Sequence, residues 1–285
     1  MRNLLVIRGM TRQPDTIDVI LTTYNQPRWL AKVLWGYAHQ TDSDFAIRIA
    51  DDGSGPATRE VIDFFRGETD LTLHHVWHED RGFRKCEILN RAIATSDADY
   101  LIFSDGDCIP RGDFIAKHRS HARERHFLSG GYIKMPMDLS LAIGQEDIAA
   151  GRAFNVRWLR RGGLPTSFYT LRLLLGDLGA EAMNRLTPTR PTFNGNNASA
   201  WRTDVVEAGG YDQRMRYGGL DRELGERLEN AGVRGLHIRY QTAVMHLDHT
   251  RGYANAVDLS RNLAIRDFTR RSGRVRTDHG LRRAA

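Results

Sequence analysis

The sequence predicts an α/β chain: one domain built on a mostly parallel sheet flanked by helices and carrying a helical insertion. Three observations predict it. Through the first 110 residues, short apolar and partly β-branched runs alternate with helical periodicity, the pattern of βαβ units. The runs are apolar enough to lie in a parallel sheet covered on both faces. Each important run also ends in a polar cluster, and ligands on such sheets bind beyond the carboxyl ends of the strands. A chain of 285 residues with 41% hydrophobic and 27% charged residues can bury a sizeable core.

The first strand is Asp18-Val19-Ile20-Leu21-Thr22-Thr23-Tyr24, after which Pro27 opens a helix through Leu30, Val33, Leu34 and Tyr37. Residues 45–50 form a second strand, stopped by the turn formers Asp51-Asp52-Gly53-Ser54-Gly55-Pro56. A helix over 59–66, a strand over 71–77 and a helix over 86–94 follow. The strand Tyr100-Leu101-Ile102-Phe103 then runs into Ser104-Asp105-Gly106-Asp107. The alternation stops near Met135, and residues 136–192 read as an insertion with helices, containing Arg157, Arg160, Arg161 and the cluster Leu173-Leu174-Leu175. A second organised block spans 193–255. Beyond it the sequence is rich in arginine, and 271–285 is expected to be a basic tail.

A net charge of +6 and a pI near 9.5 suit an anionic partner: nucleic acid, an anionic membrane surface or a phosphate-bearing substrate. Nucleic-acid-binding motifs are absent from the sequence. Two cysteines, Cys86 and Cys108, exclude a disulfide framework and fit a reducing compartment. The apolar run at 4–7 is too short for a signal peptide, and no stretch approaches the roughly 20 residues of a membrane span. The expected location is cytoplasmic, at most peripheral at the inner face of the membrane.

Four clusters can carry chemistry. Asp105 and Asp107, one residue apart at a strand end, can face a hard cation and leave room for a diphosphate; taken alone, the tripeptide reads equally as a solvated turn. Asp51-Asp52 has the same context, and one carboxylate there can accept the imide N–H of a uracil; a cap or loop is the plainer alternative. Tyr217-Gly218-Gly219-Leu220-Asp221-Arg222-Glu223 opens an amphipathic helix, with Asp221 and Glu223 in its first turn. A carboxylate there serves either the helix dipole or an attacking hydroxyl as general base. His246 and His249 can both reach a metal if their segment turns.

In this order the clusters resemble family 2 glycosyltransferases of the Rossmann-like GT-A fold, particularly bacterial chondroitin-polymerase modules with a galactosyltransferase-like C-terminal half. The resemblance implies a GT-A domain over 1–270, with a nucleotide-binding half at 17–110 and an acceptor and catalytic half at 193–255. It implies that Thr22, Tyr24, Asn25 and Asp52 cradle uridine, and that Lys85, Asn90 and Asp105 line the donor pocket. Asp105 and Asp107, with His246 or His249, would hold Mn2+ or Mg2+. Asn196, Gly218 and Gly219 would shape the donor and acceptor pocket, and Asp221 would be the base. Leu220 replaces the family Glu, so Glu223 is expected to take over acceptor contacts.

The implied reaction moves a hexose or N-acetylhexosamine, with inversion, from a UDP-sugar to a saccharide or lipid-linked saccharide. Cell-surface polysaccharide or lipopolysaccharide synthesis is the expected setting. Two other classes compete: a nucleotidyl or phosphoryl transferase using the same crevice, and a non-catalytic module for anionic surfaces. The first would want a Lys- or Gly-rich phosphate loop, which residues 22–27 lack.

Overall fold

The computed structural model describes residues 12–250 and 255–282. The apolar run at 4–7, the end of the expected acceptor half at 251–254 and the last three residues of the expected tail lie outside them.

The nucleotide-binding half is β1 (Ile17–Thr23), α1 (Pro27–Ala38), β2 (Ala46–Asp51), α2 (Pro56–Glu68), β3 (Thr72–Trp77), α3 (Lys85–Ala94) and β4 (Tyr100–Asp105). Pro27 and Pro56 open α1 and α2 at the positions where a missing N–H costs nothing. β3, β2, β1 and β4 pair in parallel in that spatial order. Their alternating side chains feed two cores. Val19, Leu21, Ile47, Ile49 and Ile102 pack under α1, while Ile20, Ala50, Leu101 and Phe103 pack with Ile88 and Leu89 of α3.

Next come β5 (Cys108–Ile109), α4 (Phe114–His121), β6 (His126–Ser129) and β7 (Gly131–Lys134). The insertion is helical: α5 (Met137–Ala142), α6 (Gln145–Ala149), α7 (Val156–Arg161) and α8 (Asp177–Leu186), with 3-10 turns at Arg152–Phe154 and Phe168–Leu173. Leu139, Ile143, Ile148 and Leu159 join the core that α1 covers, and Lys32 Nζ donates to the carbonyls of Ser140 and Leu141 at 2.6 and 3.0 Å. The insertion therefore shares the sheet's core.

β8 (Ala198–Trp201), α9 (Arg202–Glu207), α10 (Leu220–Asn230), β9 (Arg234–His237), β10 (Ala243–His246) and α11 (Ala256–Ser272) complete the chain. β8, β6 and β9 extend the main sheet beyond β4 to seven strands, with β8 antiparallel to its neighbours. β5, β10 and β7 form a second, three-stranded sheet.

The arginine-rich end is not a free tail within the described residues. Asn262 of α11 donates to the carbonyls of Arg216, Tyr217 and Gly218 at 2.8–3.0 Å, and Arg266 pairs with Glu226 of α10 at 2.5 Å. Beyond α11, Leu281 N–H donates to Gly209 O and His279 O accepts from Gln213 N–H. The partners of these groups lie far away in sequence, which is why local composition reads the segment as solvated.

Candidate active site

Strand order reverses between β1 and β4, and the crevice expected at such a switch point opens there. Thr22 Oγ1 donates to Asp105 Oδ1 at 2.6 Å across that junction. A cleft of about 810 Å³ runs from Thr22, Tyr24 and Asp52, past Lys85, Asp105 and Asp107, to Asp221, His246 and His249.

At the β2 end, Asp52 accepts from the Arg84 N–H at 3.0 Å and pairs with His78 Nε2 at 2.7 Å. Burial raises its pKa and the His78 contact only partly offsets this. Its neighbour Asp51 is buried on Ser54 N–H and His75, a loop-holding role. Tyr24 donates to Asp80 at 2.9 Å, and Asn25 fastens residues 54 and 55 through its own N–H and its side-chain oxygen.

The short second sheet assembles the candidate metal centre. β10 runs antiparallel to β5 and places His246 opposite Cys108. Asp107 Oδ2 then lies 3.0 Å from His249 Nε2 and 3.8 Å from His246 Nε2, with the two imidazoles stacked 5.6 Å apart. Burial pushes Asp107 up, but the His249 hydrogen bond and both imidazoles outweigh it and leave the carboxyl below its ordinary range. One carboxylate and two imidazoles fit a first-row divalent cation. Cys108 Sγ is also within reach, yet burial and the Asp107 charge push its thiol well up, so it remains a neutral donor to Asp107. Asp105 lines the same cleft, and its Oδ1 accepts from Thr22 and from Lys85 Nζ at 2.7 Å.

Lys85 links the two halves of the cleft. Burial disfavours its charge, but Asp105 and Asp221 more than compensate and raise its pKa. Asp221, held in the first turn of α10 after the left-handed Gly219 (φ 80°), is half-buried. Burial raises its pKa above the ordinary carboxylate value, against the pull of Lys85. The buried Tyr211 side chain faces it, and Gly195 backs it so closely that a Cβ there would sit 2.7 Å from Asp221 Cγ.

Residues 18–162, about half of the chain, match the family described as Glycosyl transferase family 2. The chain belongs to glycosyltransferase family 2. It is 26% identical over 277 residues to an uncharacterized glycosyltransferase, YfnE, of Bacillus subtilis (strain 168), covering 87% of this chain and 68% of that protein. It is 27% identical to the validoxylamine A glucosyltransferase of Streptomyces hygroscopicus subsp. jinggangensis, covering 79% of this chain and about half (54%) of the relative. A shorter match, 29% over 97 residues, reaches chondroitin synthase of Escherichia coli, covering 34% of this chain and 14% of that one. Two solved structures share the fold. The mannosyltransferase PcManGT from Pyrobaculum calidifontis, in complex with GDP-Man and Mn2+, aligns with a TM-score of 0.57 at 19% identity over 85% of this chain and 59% of its own. S. aureus TarS 1–349 in complex with UDP-GlcNAc aligns at 0.54 and 14% identity, over 84% and 60%. The fold is accordingly GT-A.

Two residues implied by the resemblance are elsewhere in this glycosyltransferase. Asn90 does not line the cleft: its amide clamps the backbone of Tyr211, donating to the carbonyl at 2.8 Å and accepting the N–H at 2.7 Å. Glu223 is buried on the far side of α10, gripped by Arg227 at 2.7–3.0 Å and by the Thr269 hydroxyl at 2.9 Å, so no oxygen of it reaches an acceptor. The other implied residues, including Asn196, Gly218 and Gly219, all line the cleft. Sequence reasoning missed Tyr132, Gly195 and Arg222 on its walls. Arg222 was legible as the residue beside Asp221, and Gly195 as the glycine of Asn194-Gly195-Asn196. Tyr132 carried no local signal.

Proposed function

We propose that this glycosyltransferase moves a hexose or N-acetylhexosamine from a UDP-sugar to a hydroxyl of a saccharide or lipid-linked saccharide, with inversion at the anomeric carbon. The setting proposed is cell-surface polysaccharide or lipopolysaccharide synthesis at the inner face of a membrane. The observation that carries the reading is Asp221: a carboxylate set against Gly195 and the Tyr211 side chain, in the same cleft as the Asp107–His246–His249 trio and beside Lys85.

Thr22, Tyr24, Asn25 and Asp52 would cradle the uracil and ribose; all four line the cleft, and Asp52 keeps lone pairs beyond the two used by His78 and Arg84. Asp107, His246 and His249 would hold the divalent cation, with Mn2+ favoured by the two imidazoles; when bound, it neutralises charge on the diphosphate. Lys85 supplies a fixed positive charge beside the same group and is itself held by Asp105. Asp221 accepts the proton of the attacking hydroxyl, and the raised affinity that burial gives it makes it a better base than a solvated Asp. A single displacement with Asp221 as base inverts the configuration, since no enzyme–sugar bond forms. Asn196, Gly218 and Gly219 line the space around the reacting groups.

A thermal-shift screen of UDP- and GDP-sugars, with Mn2+ and with chelator, tests this. A UDP-sugar should raise the melting temperature only when Mn2+ is present. Stabilisation by no nucleotide sugar, or by GDP-sugars alone, would sink the donor assignment.

A further inference from the structure

We propose that the helical insertion docks this glycosyltransferase on an anionic phospholipid bilayer, through exposed apolar side chains between residues 168 and 186 together with Arg157, Arg160 and Arg161 of the same insertion. The inference deepens the proposed function by naming the surface that meets a lipid-linked acceptor, and it rests on that reading.

Exposed leucines scattered singly are ordinary, but here they gather. Phe168, Tyr169, Leu174, Leu178 and Leu186 are 63, 58, 59, 85 and 74% exposed within one short segment. Large apolar side chains beside basic ones are the composition of a surface that lies in a headgroup layer.

Charge singles out the bilayer as occupant. Arg157, Arg160 and Arg161 are exposed and have no carboxylate partner among the described residues, and both acids between residues 168 and 186 are paired. Asp177 is held by Lys117 at 2.6 Å and Glu181 by Arg185 at 2.5 Å. The arginine-rich C-terminal end, the other basic region of the sequence, is largely used internally. Arg266 pairs with Glu226, Arg271 with Asp267 and Arg274 with Asp278, and Arg276 donates to three backbone carbonyls. The arginines at 157, 160 and 161 are thus left facing solvent without a carboxylate partner among the described residues.

The surface is also tied to the cleft. Arg172, buried within the same segment, donates to the Tyr132 carbonyl at 2.6 Å while its guanidinium covers the Tyr169 ring at 4.8 Å. Tyr132 in turn lines the cleft, its ring 6.2 Å from that of His246. A bilayer against Phe168 and Tyr169 would leave the cleft within reach of a saccharide anchored in it.

Co-sedimentation of the full chain with vesicles tests the proposal. Wild type should bind vesicles containing phosphatidylglycerol, ignore pure phosphatidylcholine, and release as salt rises. Arg157→Gln, Arg160→Gln and Arg161→Gln together should weaken partitioning about a hundredfold. Phe168→Ser with Leu178→Ser should abolish it, with melting temperature and UDP-sugar stabilisation unchanged. Leu263→Ser with Phe268→Ser, on the exposed face of α11, should bind like wild type. Absence of wild-type binding to anionic vesicles overturns the proposal, as does unchanged binding by either insertion variant or loss of binding through the α11 pair. So does a self-associated wild type that Phe168→Ser with Leu178→Ser makes monomeric without changing vesicle binding. Vesicle binding without any UDP-sugar stabilisation would instead strike the donor assignment and leave the docking surface standing.

Discussion

Gly195→Ala is the smallest change that should cripple the site without touching a charged group. The backbone at 195 is outside the left-handed region, so alanine brings no conformational strain of its own. Its Cβ would nevertheless fall 2.7 Å from Asp221 Cγ and closer still to Oδ1. Two carbons in ordinary contact sit about 3.5–4.0 Å apart, so the carboxylate must retreat by about 1 Å. A displacement of that size in a reacting group costs on the order of a hundredfold in rate. Uridine-side residues such as Thr22 and Asp52 are on the other arm of the cleft and should be unmoved. Steady-state release of UDP should therefore show kcat down about a hundredfold, with donor affinity by calorimetry and melting temperature close to wild type. A well-folded variant with kcat within threefold of wild type would refute the placement of Asp221 as the proton acceptor.

Arg227→Ala should lower stability by about 3–5 kcal/mol, read as a fall in the urea midpoint, because it strands the buried Glu223 carboxylate and the carbonyls of Ala208 and Gly210. Glu223→Gln should be destabilising yet keep kcat within about twofold of wild type at low temperature, and a hundredfold loss would return Glu223 to the chemistry. His118, fully buried between Ser199 and Asn197, has its pKa pushed down to about 3 by burial. Its unfolded-state pKa is about 6.5, so the neutral form's contribution is complete above that value and is lost as pH falls toward 3. Between pH 7 and pH 5 that loss is about 2 kcal/mol, measurable in urea, and His118→Gln should flatten it. Asp107→Asn should weaken Mn2+ binding by about a hundredfold in a direct titration, while Asp105→Asn should chiefly loosen Lys85.

The sheet and the cleft were legible where the code is local. β1 and β4 are buried on both faces, so they read as near-continuous apolar runs, and the polar residues at the ends of β1, β2 and β4 fall into one crevice by topology. Helix geometry separates the correct assignments from the wrong ones. Asp221 and Glu223 are two residues apart and project to opposite sides of α10, so only one can face the cleft. Lys85 and Asn90 are five apart on α3, which turns Asn90 toward Tyr211 instead of the donor. The tail and Tyr132 were illegible for a different reason: their placement is decided by partners far along the chain, Glu226 and Gly209 for the one and β10 for the other.

Donor binding and proton removal fall to different residues, and Asp221→Asn separates them on a single preparation. Donor affinity in Mn2+ should stay within a few-fold of wild type, because Asp107, His246 and His249 are untouched, while turnover should fall by about 10²–10⁴-fold. An Asp221→Asn enzyme that transfers sugar at the wild-type rate would contradict the account.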